Sequence, residues 1–294
     1  MRIDAHHHLW DLTAVHYPWL MADGQVRFFG DPAPIQRNYL LPEFRASADA
    51  AGFQGSVHIQ VGADNGYAEA KWVDRVVQDN PDWPMVQVAF CDLCAADRES
   101  RLNDLEALPS VRGVRQIVGR APGEDAKSGS NALLLSDEFH RGLQSVSDRG
   151  LSFDLQLIPE LIAKTTAILQ DLPDLRVALC HAGSPHDRSV EGIKRWRHEL
   201  SALAGLPNVV CKISGLGMFD HDWTVDRFRP LVETCIELFG PNRCMIGSNF
   251  PVDSLSSDYA TLMDGFRCLT AEYSEADTDQ IFGQTALDFY QFAK

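Results

Sequence analysis

The chain has 294 residues, 45% of them hydrophobic and 23% charged, a balance that supports one large core and excludes a disordered or fibrous chain. Forty-one acids against 26 bases give a net charge of -15, which repels phosphate backbones and anionic membrane surfaces and argues against a nucleic-acid partner. The N-terminus lacks a cationic flank followed by an apolar run, and no apolar stretch approaches membrane-spanning length, so a soluble, cytoplasmic protein is expected.

Short β-branched runs alternate with longer amphipathic segments from one end to the other. The first strand, RIDAHH (2–7), ends in histidines and precedes a long insertion, 9–40. LPEFRASADAAG follows as a helix, with a proline suited to its first turn and a glycine suited to its cap. Then come the strand GSVHIQV (55–61), the helix YAEAKWVDRVVQDN, the strand MVQVAFC (85–91) and the helix ADRESRLNDLEAL. The fourth strand, VRGVRQIV (111–118), leads into a second insertion, 119–135. In the second half each strand is preceded by its helix: SDEFHRGLQSVSDRG before LSFDLQL (151–157), PELIAKTTAILQDL before RVALCH (176–181), VEGIKRWRHELSALAG before NVVCKIS (208–214), and TVDRFRPLVETCIELFG before RCMIGS (243–248). Two more helical stretches, SDYATLMDGFRCLTAEY and SEADTDQIFGQTALDFYQFA, end the chain.

Eight strands alternating with helices predict an α/β fold with a parallel sheet. A closed (β/α)8 barrel, a single domain over 1–294, accounts for both the count and the length. An open doubly wound sheet is the alternative, but it would usually carry a Gly-rich turn after its first strand, where this chain has histidines. Cys91, Cys180, Cys211 and Cys244 lie in apolar runs, where a reduced thiol behaves as a small hydrophobe, and no disulfides are expected. Cys91-Asp-Leu-Cys94 has no second C-x-x-C to complete a zinc cage, so packing is its expected role.

A barrel brings the residues just past each strand to one mouth. His6 and His8, two apart, turn to the same side of the first strand, and His181 ends the sixth. Three imidazoles with an open water position have the composition of a catalytic zinc site, whereas a single strand-end histidine is more often structural. Gln60, Asp92, Arg115, Asp154 with Gln156, and Lys212 with Ser214 stand at the other ends. Arg115 and Lys212 could capture a carboxylate or stabilise an oxyanion; a salt bridge to Asp154 or Asp92 is the equal alternative. Tyr17 and Trp19, in VHYPWL of the first insertion, suit stacking on a sugar-like ring or anchoring of that loop.

IDAHHHLWD, YPWL, GVRQ, HAGSP, NVVCKISG and IGSNFPV, in this order, resemble the amidohydrolase superfamily over nearly the whole chain. The resemblance is to the amidohydrolase 2 group, which contains sugar-acid lactonases of the fuconolactonase and pyrone-dicarboxylate lactonase types. It implies a distorted barrel with an extra C-terminal helix and water attack on a lactone carbonyl. It places family metal ligands on His6, His8 and His181 and the substrate-contacting arginine on Arg115. Three departures stand out. The bridging lysine of strand four and the histidine of strand five are absent, which argues against a binuclear site. The usual strand-eight Asp is here Asn249, in Gly247-Ser248-Asn249-Phe250-Pro251, and a neutral amide cannot act as a base.

The expected function is therefore a hydrolase that opens the lactone ring of a sugar acid or small dicarboxylate. One zinc ion on His6, His8 and His181 is expected, or, without metal, hydrogen bonds from these imidazoles to the substrate. Arg115 and Lys212 would hold a carboxylate or polarise the carbonyl, and Tyr17, Trp19, Gln60 and Asp154 would line the substrate. Asp253, His181 or Asp154 would replace the base, with Asn249 positioning. The alternatives are a lactone isomerase using the same pocket and a non-catalytic ligand-binding barrel.

Overall fold

Eight parallel strands follow one another in sequence order around a barrel in the computed structural model, which describes residues 1–292. They are β1 (Ile3–His7), β2 (Gly55–Ile59), β3 (Met85–Phe90), β4 (Val111–Arg115), β5 (Ser152–Leu155), β6 (Arg176–Leu179), β7 (Val209–Ile213) and β8 (Cys244–Ile246). Alternate residues of each strand face opposite sides. Ile3, Ala5, Val57, Ile59, Val86, Val88, Ala178, Val210 and Met245 therefore form an inner cluster, separate from the large outer core beneath the helices. The runs read as strands from the sequence are confirmed, each slightly shorter than expected, as the ladders end where the chain turns toward the mouth.

Two features shape that mouth. The first is a bulge in β1: Asp4 pairs with Ser56 but His7 pairs with His58, so three steps on β1 match two on β2. An extra residue reverses which side chains face inward. Ile3 and Ala5 point into the barrel below the bulge; above it His6 and His8 take the inner side, and His7 faces outward, stacked on Phe44 with ring centroids 3.8 Å apart. The second is the β8–β1 seam, which closes by contacts beyond the strand ends. Asn249 N donates to the His6 carbonyl at 2.7 Å, and His8 N donates to the Phe250 carbonyl at 2.8 Å. The buried Asp4 carboxylate accepts from Ser248 N at 2.9 Å, His6 N at 3.1 Å and the Tyr259 hydroxyl at 2.9 Å. The histidine-bearing and asparagine-bearing segments are thus stitched to each other.

The opposite end of the barrel is plugged by the C-terminal segment. The expected single helix is broken into Glu275–Asp279 and Thr285–Phe289 by a π-helical turn, Gln280–Gln284. Ala286 and Tyr290 enter the inner cluster from below. All seven cysteines are free thiols, and no helix among the described residues is long and apolar enough to cross a membrane.

Candidate active site

A cavity of about 300 Å³ opens at the mouth. His8, Arg115, Gln156, His181 and Asn249 border it from the strand ends, and Trp19, Arg27, Phe28 and Phe29 from the first insertion. His181 owes its place to an uncommon backbone. His181, Ala182, Gly183 and Ser184 all have φ between 51° and 70°, a left-handed turn that costs about 1–2 kcal/mol for each non-glycine residue. Trp196 Nε1 secures it by donating to the Ala182 carbonyl at 2.7 Å. Gly215, itself at φ 61°, lets the ring lie against the end of β7, since a Cβ there would sit 2.4 Å from His181 Nδ1. His181 Nδ1 is 3.0 Å from Ser214 Oγ.

His8 is oriented from the other side. Its Nδ1 lies 2.8 Å from the Ile59 carbonyl. A carbonyl can only accept, so the proton is on Nδ1 and Nε2 carries a lone pair. That Nε2 faces Asn249 Oδ1 at 3.3 Å. The Asn249 amide is turned this way by Asp253, whose carboxylate accepts from Asn249 Nδ2 at 2.7 Å. Two acceptor atoms therefore stand 3.3 Å apart at the cavity wall, a pairing that a donor such as a water or a substrate hydroxyl can join. Asn249 has φ 57°, a conformation that Asn and Asp tolerate better than other L-residues.

Burial, reinforced by Arg115, holds His8 neutral, its pKa lowered to about 3. Burial also holds His6 and His181 well below the usual imidazole range; His181 adds to the effect on His6, and His8, Lys212 and Arg115 add to it on both. Arg115, itself buried, donates from Nη1 to Gln156 Oε1 at 3.0 Å and from Nη2 to the Gln60 carbonyl, and makes no salt bridge among the described residues.

Not every sequence-predicted residue reaches this cavity. Lys212, expected at the mouth, lies fully buried inside the barrel with Nζ 2.6 Å from Asp154 Oδ2. Tyr290, rising from the plug, donates to the same carboxylate at 2.8 Å. The salt-bridge alternative thus holds for Lys212 and Asp154, because both project inward below the level where the strands open. Asp253 stands behind Asn249 rather than on the cavity wall, and burial raises its pKa to about 7. Tyr17 is fully buried beside Glu69 and anchors the insertion. Trp19 does reach the cavity, its Nε1 donating to the Val61 carbonyl at 2.7 Å. Gln60 gives its side chain to Gly62 N at 2.8 Å and lines a neighbouring cavity. Asp92 is held by Gln116 and Cys94 away from the site. His6 sits just beneath, its ring centroid 4.4 Å from that of His181 and both its nitrogens without a partner among the described residues.

Sequence reasoning missed Arg27, Arg120, Phe28 and Phe29, which lie in the insertions, where no periodicity marks direction. It also missed Asp4 as the closure of the seam. Its position two residues before the first histidine is the only signal that could have pointed there.

The residues fit a metal ion poorly. Among the described residues no three His, Cys, Asp or Glu side chains are gathered to hold one. The strand-eight donor is a neutral amide, and the Arg115 guanidinium borders the same cavity. A dication would add to that positive charge, with no carboxylate among the described residues that border the cavity to offset it.

Acid should unfold this protein readily. His6, His7, His8, His58 and His181 are buried with lowered pKa values, His58 to about 4 and His8 to about 3. The unfolded chain takes up protons at these residues below pH ~6.5 while the fold does not, so each removes up to about 1.4 kcal/mol of stability per pH unit as pH falls. Glu69 and Asp253, raised to about 7, act oppositely, losing stability as pH rises, as does Asp4, but the imidazoles outnumber them. The Tm is expected to fall between pH 6.5 and 4.5, and His7→Phe, which keeps the stack on Phe44, should flatten that fall. A Tm that is level or rises toward pH 4.5 would refute the assignment.

An amidohydrolase family model matches residues 3–292. The uncharacterised protein y4mH of Sinorhizobium fredii is 35% identical over 292 residues, covering 98% of each chain. An L-fucono-1,5-lactonase of Burkholderia multivorans is 27% identical, covering 99% of this chain and 96% of that protein. A crystal structure of a Burkholderia multivorans amidohydrolase with bound zinc superposes with a TM-score of 0.84 at 24% identity, covering 99% of each chain. Family model, relatives and barrel agree across the whole described chain, which belongs to the amidohydrolase family.

Proposed function

We propose that this protein hydrolyses a lactone, opening the ring of a sugar acid or small dicarboxylate, with His8 as general base. The observation that carries this reading is the pair of lone-pair atoms, His8 Nε2 and Asn249 Oδ1, 3.3 Å apart at the cavity wall that Arg115 also borders. The lactonase relative supports the choice of a cyclic ester.

A water donating one hydrogen to each of these atoms is held with its oxygen toward the cavity. As that oxygen attacks the lactone carbonyl, its proton passes to His8 Nε2, and the negative charge forming on the carbonyl oxygen is met by the Arg115 guanidinium. The ring C–O bond then breaks, and His8 returns the proton to the departing ring oxygen. One water is consumed and one hydroxy acid formed. The low basicity of His8 in the free protein comes from burial and Arg115. The developing oxyanion offsets the second of these, so the imidazole becomes a better proton acceptor as charge develops. Asn249 is a positioning group here, and Asp253 acts through it by fixing the amide. The donor set argues for catalysis by these side chains alone, and activity is expected to survive dialysis against a chelator.

The test is acid release from a panel of γ- and δ-lactones in a pH-stat, with proton NMR of the product. A ring-opened acid supports the reading; a new ring points to isomerisation, and stabilisation by lactones without turnover to a binding protein. Asn249→Asp refines it. A carboxylate beside His8 Nε2 raises the His8 pKa by about 1–3 units, so the acid limb of kcat/KM should move up. An acid limb that stays in place would remove His8 from the base role.

A further inference from the structure

The 119–135 insertion roofs a second cavity of about 580 Å³ that adjoins the first. The two share Gly62, Ile117 and Arg120 in their walls. The helix Pro122–Ser128 and the 3-10 turn Ser130–Leu135 form the roof. The lining is rich in neutral hydrogen-bonding groups, among them Gln60, Gln116, Ser128, Ser130 and Ser136, and among the described residues Arg120 is its one charged side chain.

Among the described residues the charge of Arg120 is answered only by a long, shared ion pair. The nearest carboxylate, Glu124, is 3.9 Å from Arg120 Nη1. Glu124 is already committed, accepting from Arg27 Nε and Nη2 at 2.8 Å each and from Phe28 N at 3.1 Å. Asp125, the next acid, is buried and turned to the backbone, accepting from Arg120 N at 3.0 Å, with Ser130 Oγ at 3.4 Å. Arg27 and Arg120 thus share one carboxylate, and with the unpaired Arg115 they make the passage between the cavities positive in a chain of net charge -15. Burial, with repulsion from Arg27 and Arg115 added to it, lowers the Arg120 pKa. An anion at this point relieves that repulsion.

We propose that the two cavities form one bipartite site, in which Arg120 at the shared wall binds a carboxylate carried on a hydroxylated tail of the substrate. The reacting ring occupies the first cavity; the tail passes Arg120 into the second, where Gln60 Nε2 and the hydroxyls of Ser128, Ser130 and Ser136 receive its hydroxyl groups. The planar guanidinium, open to both sides, pairs with a carboxylate through two parallel hydrogen bonds. This inference rests on the lactonase reading for the identity of the ring, while Arg120 and the second cavity define what the ring carries.

The test compares a lactone bearing a carboxylate on its side chain with the methyl ester of the same lactone. The wild type should favour the acid by about tenfold or more in kcat/KM, mainly through KM, and Arg120→Gln should bring the ratio close to one. Arg120→Lys should recover part of it. Ala132→Trp, which fills the second cavity, should raise KM for the tailed lactone far more than for a lactone with no tail. Calorimetric binding of the ring-opened diacid gives a readout independent of turnover and should weaken about tenfold in Arg120→Gln. Ring opening in which neither the acid-to-ester ratio nor diacid binding depends on Arg120 overturns the subsite and leaves the lactonase reading standing. Diacid binding that depends on Arg120, with no ring opening of any lactone, upholds the subsite and overturns the lactonase reading.

Discussion

His8→Asn is expected to lower kcat for lactone hydrolysis by about 100- to 10,000-fold, the range a positioned general base contributes. The effect should appear in kcat rather than KM, because the lost interaction matters when the proton moves. Asn keeps a polar group toward the Ile59 carbonyl, where Nδ1 lies now, so the fold loses little. The discriminating comparison is His181→Asn. Ser214 Oγ can donate or accept, so the structure leaves the tautomer of His181 open, whereas the Ile59 carbonyl fixes that of His8. If His181→Asn abolishes kcat while His8→Asn raises only KM, the two histidines exchange roles.

The second large effect is on stability and lies below the site. Lys212→Met should cost about 3–5 kcal/mol, because it leaves the Asp154 carboxylate charged and fully buried, with only the Tyr290 hydroxyl and the distant Cys180 thiol beside it. For a chain of this size that corresponds to a fall in Tm on the order of 10 °C. The double variant Lys212→Met with Asp154→Leu should regain most of the loss, since no unpaired charge remains. Denaturant unfolding of the two variants checks both numbers. A single-variant cost under about 1 kcal/mol would mean that the pair is not holding the barrel interior to its C-terminal plug. Had Lys212 gripped the substrate, the loss would instead fall on KM with Tm little changed.

Much of the fold was legible in the chain. Apolar runs of strand length bounded by helical periodicity gave eight strands in order, because burial on both faces forces a parallel strand to be apolar almost throughout. The histidines of the site were legible for a similar reason: the ends of such runs open at the barrel mouth, where polar side chains can be accommodated. Asn249 was legible as a departure, an amide where the resemblance expects an acid.

What the sequence could not decide is how groups meet across the barrel. Lys212 and Asp154 read as mouth residues by position, yet lie one level too deep, and the C-terminal Tyr290 reaches the same carboxylate from below. The bulge in β1 changes which residues face inward, and a two-residue alternation carries no mark of an inserted residue. The β8–β1 seam depends on Asp4 meeting Ser248, 244 positions away. Arg27 and Arg120 converge because two insertions without periodicity fold over the same opening. The sequence by itself determined the number, order and direction of the strands and which polar groups end them, since these follow from local burial patterns. Only the tertiary structure decided which of those groups face one another, because a charge's partner, and so whether it remains free for a substrate, is set by contacts between elements far apart in the chain.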